Sequence, residues 1–93
     1  MSHTLNLPPV LDLNAAAPLR LSLLEKRGQS VTLDAGSVQR VGGLCLQVLL
    51  SSARTWGDDG HTFEITPRSA AFDEALALFG ASGRFDDQNL GGN

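Results

Sequence analysis

The chain has no tyrosine, one tryptophan, four phenylalanines and a single cysteine in 93 residues. One thiol, Cys45, excludes an internal disulfide and a thiolate metal cage. His3 and His61 have no companion at ligand spacing, so neither a metal nor a cofactor is expected. Five aromatic rings leave little for base stacking, and the seven basic residues (Arg20, Lys26, Arg27, Arg40, Arg54, Arg68 and Arg84) are scattered along a chain of net charge −3. Nucleic acid binding by counterion release needs a clustered basic face, so that class is set aside. Long apolar runs are missing too. The richest stretch, Leu19 to Leu24, is interrupted by Arg20 and Ser22, whereas a bilayer span needs about 20 apolar residues. No charged segment followed by an apolar core and a cleavage site stands at the amino end. The expected setting is reducing and cytoplasmic.

What remains is the composition of a folded globule, with 42% hydrophobic and 18% charged residues. The length suits one domain with one core, expected over residues 1–85. The last residues are rich in Gly, Asp and Asn, and 86–93 are expected to be a disordered tail.

In chain order, Thr4 to Leu7 alternates as a strand, and Pro8-Pro9 removes two ladder donors before Val10-Leu11. A helix is expected from Asn14 as cap, with Pro18 near its first turn and Ala17, Leu21 and Leu24, flanked by Leu19 and Leu23, as its buried stripe. Gly28 closes it in the left-handed conformation. Val31 to Leu33 is the most β-branched apolar run and should be the central strand. A second extended piece follows at Val38 to Val41. Gly42-Gly43 then opens a strongly apolar helix that ends at Trp56, and Gly57-Asp58-Asp59-Gly60 forms a turn. Thr62 to Ile65 alternates as a strand. Ser69 caps a last helix in which Phe72, Ala75, Leu76 and Phe79 recur at helical spacing, and Gly80 stops it.

Strands alternating with helices imply an α/β fold, a small mixed or parallel sheet covered by helices. The stretch Val31 to Leu50 is its organising element. A strand that hands over to a helix through glycines leaves amides and a positive helix end facing outward, so that corner is the candidate site.

LNLPPVLDLNAAAPL, then VTLDAGSVQRVGGLCLQVLL, then ITPRSAAFDEALALFG, resembles the STAS domain family of anti-sigma factor antagonists, especially its short single-domain branch, from Leu5 to about Gly80. The resemblance implies a STAS-like fold and a non-enzymatic bacterial signalling module that binds an anti-sigma factor, a switch kinase or a chemotaxis-type component. Relatives also serve as small subunits of lipid-transport ATPases. Family members carry a phosphorylated Ser or Thr at the start of the second helix. Here the motif falls on Gly42, Gly43, Leu44 and Cys45, and the acceptor position on Gly43/Leu44, with no hydroxyl. Asp12 and Asp34 match the family's acidic residues at this corner. Partner contact is expected from Asp12, Asp34, Arg40, Gly42, Gly43, Leu44, Leu46 and Gln47.

Each candidate also has a plainer role. Gly42-Gly43 lacks both phosphate-loop fingerprints and suits a tight turn. Asp12 and Asp34 suit helix capping and loop tethering better than a catalytic pair, since no second catalytic residue type accompanies them. A nucleotide binder or small enzyme built on these residues is the alternative from another class. Cys45 sits near a helix start, where thiol pKa values fall, but its apolar neighbours favour an inert core thiol. Trp56 could anchor a partner or pack over the helix end.

Overall fold

The computed structural model describes residues 3–85. Its elements run β1 (His3–Asn6), β2 (Val10–Leu11), α1 (Leu13–Leu24), β3 (Val31–Ala35), β4 (Arg40–Val41), α2 (Gly43–Asp58), β5 (Phe63–Arg68) and α3 (Ala70–Leu78). The main sheet has the order β1-β3-β5, and every pair in it is parallel. β3 is thus the central strand, as its β-branched run predicts.

Alternation along the strands sorts the two faces of this sheet. Val31, Leu33 and Ala35 are buried with Phe63 and Ile65, whereas Thr32, Asp34 and Glu64 are only half buried. Period-two patterning therefore gives one core face and one polar face. β5 lies at an edge, where Pro67 can lack a ladder donor. The register slips there, so Leu33 faces Ile65 while Ala35 faces Arg68.

The two short extended pieces pair with each other. β2 and β4 form a separate parallel ladder, with Val10 opposite Arg40 and Leu11 opposite Val41. This small sheet fixes where the following helices start, because both α1 and α2 begin two residues after it.

Several expected features are corrected. The α1 cap is Asp12, whose Oδ1 accepts from the Ala15 amide at 3.1 Å, and not Asn14, which lies inside the helix. Pro18 consequently stands in the second turn, where the Asn14 carbonyl has no amide hydrogen to accept from it. Of the expected α1 stripe, Leu19 and Leu23 are buried, together with Ala16, while Ala17, Leu21 and Leu24 face outward. α2 continues past Trp56 to Asp58, which leaves Asp59-Gly60 as the turn, with Gly60 at φ +78°. Phe79 is 47% exposed and lies just beyond α3. The Ser69 cap is as expected: its Oγ accepts from the Phe72 amide at 3.0 Å and donates to the Val38 carbonyl at 2.6 Å. The core extends to Phe85, which is buried and stacked on Phe63. The tail expected at 86–93 lies outside the described residues.

Candidate functional site

The β4-to-α2 corner is assembled by backbone bonds. The Gly42 amide donates to the Leu11 carbonyl at 2.8 Å, and a Cβ at Gly42 would sit 3.3 Å from that same oxygen. Close approach of two backbones therefore explains this glycine, and its amide is already engaged. Gly43 is different. A Cβ there would meet only the Phe79 ring, at 3.7 Å, an ordinary contact. A side chain at position 43 is sterically admissible, so the missing hydroxyl is not imposed by crowding.

The two aspartates are both used in tethering the chain. Asp12 caps α1, and its carbonyl also accepts a hydrogen bond from Cys45 Sγ at 3.2 Å. Asp34 Oδ1 accepts from the Gly36 amide at 2.9 Å and so shapes the turn after β3. Its carbonyl takes the Leu7 amide at 2.9 Å. Each carboxylate is thus spent on a main-chain amide of its own segment, an arrangement suited to tying loops rather than to proton transfer.

The remaining corner residues divide by burial. Gly43, Leu44 and Gln47 are exposed on the first turns of α2, Gly42 is half buried, and Arg40 is exposed on β4. Leu46 is 4% exposed and belongs to the core. The assignment of Leu46 to partner contact is therefore corrected: residues 44, 45 and 46 are all apolar, and helical phase turns Cys45 and Leu46 inward and Leu44 outward. Trp56 is also a core residue. Its Nε1 donates to the Gln29 carbonyl at 2.7 Å, and its ring meets Phe63 edge-on with centroids 5.7 Å apart.

Cys45 is fully buried. Burial first, and the nearby Asp12 charge second, push its thiol pKa up. A nucleophile at a helix start would show the opposite shift. Among the described residues no group of His, Cys, Asp and Glu could hold a metal ion, and no helix is long and apolar enough to cross a membrane.

A groove that the sequence reading did not isolate runs beside this corner, between α1 and α2. It has a volume of about 440 Å³, and its lining includes Arg20, Leu24, Leu44, Val48 and Ser52. At its far end Arg27 Nε donates to Asp59 Oδ2 at 3.0 Å. The pairing holds the exposed Asp59 carboxyl below, and the Arg27 guanidinium above, its ordinary value. The α2 side of this groove is formed by Leu44 and Val48, apolar positions of that strongly apolar helix that the core does not fully bury. The α1 side was hidden by the wrong helical phase.

No curated protein and no solved structure matches the chain. One family model, described as "Mlab, STAS domain", matches residues 2–90. With that match across nearly the whole length, and a parallel sheet and three helices in the order its strand and glycine pattern predicts, the chain belongs to the STAS domain family.

Proposed function

We propose that this STAS domain is a non-enzymatic signalling module that docks on a bacterial regulatory protein through the start of α2. The regulatory protein is of the anti-sigma factor, switch kinase or chemotaxis type. The observation that carries the reading is the composition of the α2 entrance: Gly43, Leu44 and Gln47 point outward, Phe79 flanks them, and Arg40 is exposed on the adjoining strand. Leucine and phenylalanine, each 47% exposed beside a flat glycine turn, suit a protein partner better than a small anion. The amides a phosphate would need are partly consumed, since Gly42 is bonded to β2. Asp12 and Asp34 contribute by holding the two loops that frame this surface. Neither carboxylate is arranged as a general acid or base.

The first turn of α2 carries no hydroxyl, so the module lacks a phosphorylation toggle at the acceptor position of its relatives. Regulation then comes from the partner's own state or abundance. Phosphorylation would otherwise add about −1.5 to −2 charge at this surface.

The test is capture from the native host, comparing the unmodified chain with Leu44→Glu and Arg40→Glu. Leu46→Glu is not a usable control, because it would bury a charge. A regulatory kinase or signalling protein should be retained by the unmodified chain and lost with Leu44→Glu. Co-purification with a transport ATPase subunit would instead favour the lipid-transport role. Incubation with the captured kinase and ATP, read by intact mass, should add no phosphate. A phosphate on Ser37 or Ser51 would overturn the lost-toggle part.

A further inference from the structure

We propose that the groove between α1 and α2 is a second docking surface that seats an acidic amphipathic helix of the partner. The proposal deepens the interaction-module reading and rests on it. The groove combines three properties that individually mean little. Its walls present a half-exposed leucine from each helix, Leu24 at 49% and Leu44 at 47%. Between them lie Val48 and the small hydroxyl residue Ser52, which let another backbone approach closely. Its charged lining residues are Arg20 and Arg27, with no Asp or Glu among the lining.

Charge decides the occupant. The whole chain carries −3, so a surface drawn at random from it would be acidic. Here the Asp59 carboxylate offsets Arg27 at the far end, and Arg20 leaves the groove with a net positive charge. Arg20 makes no ion pair among the described residues. Arg27 gives Nε and one Nη2 hydrogen to Asp59, while Nη1 makes no bond among the described residues. The Arg20 guanidinium, with the remaining Nη1 edge of the Asp59-paired Arg27, at the rim of an apolar trough is the complement of a helix with leucines along one stripe and carboxylates beside it. The length agrees. Leu44 and Thr55 both line the groove and, at 1.5 Å per residue, lie roughly 16 Å apart along α2, which accommodates about three turns. A second copy of this chain is a poorer occupant, because a groove filled by a different surface of the same chain makes a heterologous contact that propagates unless it closes.

The test uses the full chain, isotopically labelled, titrated with a synthetic helical peptide. Its leucines recur at i, i+3 and i+7 with glutamates on the flanking positions, and the control replaces every glutamate with lysine. Amide shifts are expected at Leu24, Leu44, Val48 and Ser52 for the acidic peptide, with at least tenfold weaker binding of the lysine control. Arg20→Glu should weaken the acidic peptide tenfold or more, and added salt should do the same in the unmodified chain. Equal binding of the two peptides would overturn the proposal. So would shifts confined to residues outside the groove, no shift at millimolar peptide, or concentration-dependent self-association that protects these same amides.

Failure of the groove is distinguishable from failure of the docking corner. A host partner lost with Arg40→Glu but indifferent to Arg20→Glu refutes the groove and leaves the corner standing. A chain that takes the acidic peptide yet captures no regulatory protein refutes the functional reading and leaves the groove.

Discussion

Helices α1 and α2 pack against each other and are both rich in leucine, yet only one of them announces its buried face. In α2 the polar residues Gln47, Ser51, Arg54 and Asp58 recur at spacings of four, three and four, and all are exposed. That stripe fixes the phase and leaves Cys45, Leu46, Leu49, Ala53 and Trp56 for the core. In α1 only Asn14, Arg20 and Ser22 are polar, and they mark no continuous face. Two apolar stripes then satisfy helical spacing equally: Ala17, Leu21 and Leu24, or Ala16, Leu19 and Leu23. The fold uses the second. A helix face is therefore legible through its polar residues more than through its apolar ones. The unused leucines are not neutral, since Leu24 becomes one wall of the groove.

The sharpest way to break this comparison is to remove leucines from each stripe. Leu23 and Leu49 are at most 1% exposed, whereas Leu21 is 62% exposed. Leu23→Ala and Leu49→Ala should each cost about 2–5 kcal/mol, the transfer term plus the cavity left behind. Leu21→Ala should stay within about 0.5 kcal/mol. Urea midpoints at constant slope measure all three. An equal loss for Leu21→Ala and Leu23→Ala would restore the other stripe and remove Leu24 from the groove wall.

Much of the fold was legible for the same reason that α2 was. Val31 and Leu33 alternate with polar neighbours and identify the central strand, Gly28 adopts φ +91° after α1, and Ser69 caps α3. What was hidden depends on distant pairing. The β2–β4 ladder is two residues long on each side, and so short a strand carries no periodic signal. That ladder fixes the starts of α1 and α2 and decides that Asp12, not Asn14, is the cap. At the candidate site, exposure of Gly43, Leu44 and Gln47 follows from a glycine turn opening a helix. Burial of Leu46 could not be read from three successive apolar residues, and the role of Asp34 was visible only as a loop tether.

A smaller effect tests the capping difference between the helices. Asp12 supplies a side-chain bond to α1, whereas Gly42 at the start of α2 supplies none. Asp12→Ala should lose about 1 kcal/mol, the usual worth of such a cap. Asn14→Ala should change stability by less than about 0.5 kcal/mol, because Asn14 is exposed inside the first turn. The reverse ranking would move the start of α1 two residues along the chain, and with it the phase of every residue that follows.

The smallest expected effect concerns a side-chain contact that ties the two helix starts together, the Cys45 thiol of α2 donating to the Asp12 carbonyl ahead of α1. Burial raises the folded thiol pKa above its unfolded value. Its contribution to stability is therefore complete below the unfolded value and is lost as pH rises through the folded one. Native protein at neutral pH should label with a thiol reagent only as fast as it opens, and Cys45→Ala should show a shallower alkaline decline than the parent chain. Rapid labelling of the folded protein at neutral pH would mean that the thiol is reached without unfolding. The α2 entrance would then be a looser structure than the packed helix start on which the docking corner depends.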